Sequence, residues 1–264
     1  MTAAGRAAAL AATAVMILAL YIAAESLPPV VLAAAMMPSF LAISLVFVAS
    51  GRDREPVIAA IAMVASGGAF AALPASYLSA QAGAAVPSAP AWLVPLIEEI
   101  AKLFVLVLLA YLLPRRPSRR NGALRGALVG FGFTIVENTQ YLLLAAVMGG
   151  SDAMLRAVYL RGAVGGLHHA LFAATSGVGL AMRQAGGNAW VSVAALAWAG
   201  LQHVAWNAVA APLVGDRLCG AATAGAACQI PPAPLDAYVT VPLVTAVALA
   251  PGAAVLFGLL RRQR

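Results

Sequence analysis

Apolar residues in this chain do not alternate with polar ones at a short period. They run on for about twenty positions at a time, broken by short connectors rich in Arg, Gly, Pro and Ser. Eight such runs predict helices over approximately 7–24, 30–50, 56–76, 91–113, 123–148, 163–182, 189–214 and 237–260. Each is close to the ~20 residues a helix needs to cross a bilayer, whereas a crossing strand needs only about 10. Backbone groups in lipid must also pair within their own segment, which favours helices. The predicted fold is all-α: one polytopic membrane bundle over residues 1–264, with a core at about 91–214 and peripheral spans at about 7–76 and 237–260.

Composition supports that reading. Of 264 residues, 63% are hydrophobic and 9% charged, against roughly half and a quarter in soluble domains. No polar stretch is long enough to fold as a separate soluble domain. The N-terminal run resembles a secretory signal, but its apolar core exceeds the usual 7–15 residues, so it is read as a retained first span. The formal charge of +7 comes without a zinc-finger spacing, phosphate loop or basic–aromatic stripe, so no nucleic-acid partner is expected. Arginine placement gives a topology instead. With the N-terminus inside, the inner segments hold twelve basic residues and the outer connectors three, Arg156, Arg161 and Arg217. The positive-inside rule then puts both termini in the cytoplasm of a multi-pass cell-membrane protein. Cys219 and Cys228 fall in the last outer loop, where a disulfide is chemically reasonable.

Several residues break the apolar pattern. The run "LVPLIEEIAKLFVLVLLAYLL" carries Glu98, Glu99 and Lys102. Each ionised group costs about 2.5–3.5 kcal/mol at mid-membrane, so together they cost up to about 8–10 kcal/mol. The fourteen Leu, Ile, Val and Phe residues between 91 and 113 return about 4–8 kcal/mol. The segment is marginal alone and needs protein or water around its polar face; a Glu98–Lys102 pair at i, i+4 would lower the cost. Further along lie Glu137 and Asn138, then His168 and His169, then His203 and Asn207, one turn apart. All three histidines of the protein fall in spans. At 1.5 Å per residue, Glu98 and His169 lie about 9–10 Å below the outer surface, and Glu137 and His203 about 16 Å. Four helices thus present acids, imidazoles and amides in one layer. One imidazole of the adjacent pair is expected to pack or hydrogen-bond, because neighbours on a helix point about 100° apart. Arg161 reads as an interfacial anchor, with contact to a substrate backbone or carboxylate as the alternative.

These motifs resemble those of the PrsW family of intramembrane proteases, itself similar to the CAAX-protease and bacteriocin-processing group. The resemblance rests on EExxK at Glu98, Glu99 and Lys102, on FxxxEN at Phe133, Glu137 and Asn138, on His169 eight positions before Gly177, and on His203 four before Asn207. Asn207 stands where PrsW-like sequences often carry Asp, and His168 is an additional imidazole. The resemblance implies peptide-bond hydrolysis of a membrane protein or peptide, such as a single-span anti-sigma factor. For that chemistry the residues permit Zn²⁺ on His169, His203 and Glu137, leaving a position for water. Glu98 or Glu99 is then the base, Lys102 keeps the other glutamate ionised, and Asn138 and Asn207 orient ligands or hold the oxyanion. A metal-free mechanism, with a glutamate activating water directly, is also open, since no HExxH is present. So is a different class, a proton- or ion-coupled transporter using the same polar layer, although no inverted repeat or paired broken helices are evident.

Overall fold

The computed structural model describes residues 57–85, 92–113, 118–161, 167–210 and 237–261, with isolated positions between 14 and 44. The predicted first span and most of the second lie outside the described residues, as do Cys219, Cys228 and the loop that holds them. Among the described residues every regular element is helical. They are α1 (Val57–Ser66), α2 (Leu73–Ala85), α3 (Leu93–Leu112), α4 (Arg119–Leu160), α5 (His168–Gln184), α6 (Ala189–Ala205) and α7 (Ala237–Arg261). A π-helical turn, Gly67–Ala72, joins α1 to α2, and another, Trp206–Ala210, follows α6.

Local chemistry places the helix ends. Ser118 accepts a hydrogen bond from the Asn121 N–H at 3.0 Å and caps α4, and Asn188 accepts one from the Trp190 N–H and caps α6; each satisfies an orphan donor of the first turn. At the end of α5, Gly186 adopts φ +90°. Its N–H reaches the Arg183 carbonyl and that of Gly187 reaches the Met182 carbonyl, the paired bonds of a left-handed helix stop.

The centre is α4. Gly122, Gly126 and Gly130 lie four apart on one face of it. A Cβ on them would stand 2.3, 2.0 and 2.3 Å from the carbonyl oxygens of Gly177, Ala173 and His169. As one series rises the other falls, so α4 and α5 run antiparallel in backbone contact, the small-residue packing that membrane helices favour. On its other side, Gly132 abuts the Val64 carbonyl and Gly67 the Val129 carbonyl, which fixes α1 against α4. Lys102, Phe133, Leu124, Val129 and Phe172 are buried between these layers.

The helix α3 is inverted relative to a soluble helix. Its inner face buries Glu98, Glu99, Lys102, Val105, Leu106 and Leu109, while Ile100, Phe104 and Tyr111 are exposed. Charge inside and aliphatic side chains outside suit lipid as the solvent. Among the described residues one helix, Val57–Ala85, is long and apolar enough by composition to cross a membrane; α3 carries three ionisable side chains within its 20 residues.

One feature departs from expectation. The run predicted to end near 148 continues as helix to Leu160, interrupted at Gly150, which has φ +68° and ψ −159°. Only glycine tolerates that conformation readily. The chain reverses there, and Met154, Ala157 and Val158 pack with Leu143 and Ala146 against a cluster of Val31, Ala35 and Leu142. The segment expected to be an outer connector is a second limb lying back along the first.

Candidate active site

The first limb of α4 supplies Glu137 and Asn138, and the second limb ends beside them at Arg161. α3 supplies Glu98, Glu99 and Lys102, α5 supplies His168 and His169, and α6 supplies His203. The bundle brings all of these together. Lys102 Nζ donates to Glu99 Oε1 at 2.6 Å and meets His169 Nδ1 at 2.7 Å. His169 Nε2 meets Glu137 Oε2 at 2.6 Å. That same oxygen accepts from Arg161 Nη2, and Arg161 Nε donates to Asn138 Oδ1 at 2.7 Å. On the other side, His203 Nδ1 meets Glu99 Oε1 at 2.9 Å, and its Nε2 lies 3.6 Å from Glu98 Oε2. One polar chain therefore runs from His203 through Glu99, Lys102, His169, Glu137 and Arg161 to Asn138.

The partners assign the ring protons. An ionised carboxylate only accepts and an ammonium only donates. Lys102 Nζ thus donates to His169 Nδ1, and the Nε2–H of His169 donates to Glu137. His203 donates Nδ1–H to Glu99, which leaves its Nε2 lone pair facing Glu98. The Lys102 ammonium also lies 4.1 Å from the centre of the Phe133 ring, a favourable cation–π placement for a charge out of water.

Three buried atoms of the cluster have no hydrogen-bond partner among the described residues: Glu98 Oε2, Glu99 Oε2 and His168 Nδ1. Buried acceptors without partners are costly unless something fills the role. Glu98 and His168, with the free Nε2 of His203, belong to groupings that fit a cation; Glu99 belongs to neither. Two sets bring one ligand atom from each member within 4.8 Å of one another: His168, His169 and His203, and Glu98, Glu137 and His169. His203 also shows the arrangement usual for metal-bound imidazoles, one ring nitrogen engaged by a carboxylate and the other left open.

Several sequence expectations meet a different geometry. Lys102 is paired with Glu99 at i, i+3, not with Glu98. The trio Glu137, His169 and His203 is divided between the two donor sets, each of which recruits a member assigned elsewhere, Glu98 or His168. Both adjacent histidines are buried, because they open α5 in its first turn where two helices converge. His168 stacks on Trp206, with ring centres 5.0 Å apart and planes 20° apart. Asn207 is exposed and makes no hydrogen bond to the cluster among the described residues. It sits in the π-helical turn, whose i to i+5 bonding breaks the i, i+4 alignment that a plain α-helix would give it with His203. Asn138 is fully buried and serves the second limb, receiving Arg161 Nε and donating to the Arg161 carbonyl at 3.4 Å. Arg161 itself is no interfacial anchor. It reaches Glu137 because the chain reverses at Gly150, and the "GGS" at 149–151 was the available signal for a turn.

The arrangement offers a carboxylate with an open oxygen, a donor set for a divalent cation, and charged donors held out of water. Those are the components that amide hydrolysis requires. Comparison with known proteins points the same way. The PrsW family intramembrane metalloprotease profile matches residues 28–247, which include every side chain of the cluster. No curated protein and no solved structure matches the chain. With the match covering most of the sequence, the chain belongs to the PrsW family of intramembrane metalloproteases.

Proposed function

We propose that this protease crosses the bilayer eight times with both termini cytoplasmic, and cuts a membrane protein, such as a single-span anti-sigma factor, at a bond presented to the outer half of the membrane. Glu98 is the general base. Its side chain keeps 11% exposure and its Oε2 has no partner among the described residues, whereas Glu99, whose Oε2 is equally unpartnered, is fully enclosed and held through Oε1 by Lys102 and His203. Glu98 takes the proton from the attacking water and returns it to the departing amine. Glu99 positions His203, and Lys102 positions His169.

His203, with its open Nε2, and His169, whose Nε2 would lose its proton and exchange its hydrogen bond to Glu137 for the ion, would hold a divalent cation together with Glu137; imidazole and carboxylate donors suit Zn²⁺. When bound, such an ion polarises the scissile carbonyl and lowers the pKa of water. The observation that carries the reading is the open carboxylate oxygen of Glu98 beside His203 and Glu137.

Purified protein in detergent is expected to cleave members of a library of single-span peptides. Glu98→Gln should lower kcat by about 10²–10⁴ with little change in thermal stability, and His169→Ala should abolish cleavage. Undiminished turnover in both variants would end the assignment. Proton-coupled flux in liposomes without any cleavage would favour a transporter.

A further inference from the structure

The polar cluster has a floor and a rim. The side chains of Glu99, Lys102 and His169 are 0% exposed, while those of Glu98, Glu137 and Arg161 retain 11%, 14% and 16%. Water or peptide reaching the cluster meets the rim first. Two of its members are carboxylates, which only accept when ionised. Arg161 is the rim's donor.

The guanidinium has five N–H groups in a fixed plane. Nε and Nη2 share one edge of it, and that edge is engaged by Asn138 Oδ1 and Glu137 Oε2. The end-on edge, formed by Nη1 and the outer N–H of Nη2, has no acceptor among the described residues. The plane is also held from one side, with Cζ 4.3 Å from the centre of the Tyr141 ring. Two hydrogen bonds and a ring contact fix a charged fork on a side chain that keeps 16% exposure, with its other edge unengaged among the described residues. A donor fixed before reaction, in surroundings shielded from water, is the most effective kind of oxyanion stabiliser.

We propose that Arg161 is a catalytic residue whose free edge receives the carbonyl oxygen of the scissile bond; this rests on the peptidase reading above. In the addition step a C–O bond forms between water and the carbonyl carbon. The water proton passes to Glu98, and the π pair of the C=O moves onto the oxygen, where Arg161 meets the developing charge. In the second step that pair re-forms the carbonyl, the C–N bond breaks, and Glu98 returns its proton to the amine.

The test uses the peptide of the library that the wild type cleaves fastest. Arg161→Gln is expected to lower kcat by about 10²–10³ and leave KM nearly unchanged. Arg161→Lys, which keeps the charge but loses the planar fork, should recover only part of that loss. Added guanidinium ion should raise turnover by Arg161→Gly, an effect that a merely structural arginine would not give. A phosphinate analogue of the same peptide, which carries an anionic oxygen, should bind Arg161→Gln more weakly while binding of the uncharged peptide is preserved. Wild-type kcat in Arg161→Gln, or a loss confined to KM, overturns the role. If Arg161→Gln does not fold, Arg161→Lys decides, and full activity there overturns it equally. A wild type that cleaves nothing removes the peptidase reading as well, so the two failures are distinct.

Discussion

At the residue scale, the strongest commitment is the burial of Lys102 against Glu99 and His169. Both charged side chains are fully enclosed, and removing one member of such a pair leaves the other uncompensated, at about 3–5 kcal/mol. Lys102→Met should therefore destabilise the protein by that order, and a Lys102→Met/Glu99→Gln double variant should recover part of it. Denaturant unfolding in a fixed detergent measures both. The presence of most site residues was legible in the sequence, since an ionisable group inside an apolar run is conspicuous by its cost. Which acid meets which base was not. Glu98 and Glu99 are equivalent by spacing, and the pairing of Lys102 with Glu99 and the approach of α6, which brings His203 to the same oxygen, separate them. Arg161 was ranked as an anchor ahead of a substrate contact because an arginine at the end of an apolar run has an ordinary explanation.

At the scale of elements, the closeness of α4 and α5 rests on missing side chains. A Cβ at Gly126 would fall 2.0 Å from the Ala173 carbonyl, and backbone cannot move aside as a flexible side chain does. Gly126→Ala should cost about 1–3 kcal/mol through overpacking. It should also reduce turnover, because the same interface sets the depth of His169. Gly83, in α2, has open space where its Cβ would stand, so Gly83→Ala should instead stabilise by about 0.4–1 kcal/mol. Thermal melts of the two variants give opposite signs if this account of the interface is right. Apolar run lengths foretold α3 and α7 to within two residues and the start of α6, while α5 begins five residues after its expected start. They failed at Gly150, because polar residues after a glycine pair look the same whether the chain leaves the membrane or doubles back.

For the whole molecule, the predictions concern metal and orientation. His203→Ala should lower the affinity for zinc by 10-fold or more, as loss of a ligand or its orienting partner does. Metal content of the purified protein, measured against wild type, checks this without any substrate. A fluorescent protein that matures only in the cytoplasm, fused after Arg264, should be bright; a dark fusion with intact protein would overturn the eight-span topology.

The reversal at Gly150 also sets the reach of the molecule. Forty-two residues in one unbroken rod would extend about 63 Å, twice the ~30 Å thickness of the hydrocarbon layer. Doubling back lays residues 151–160 along the first limb and returns the chain to the level of Glu137 and Asn138. A residue with no side chain thereby decides whether the guanidinium sits beside its carboxylate or is stranded in bulk water tens of ångströms away.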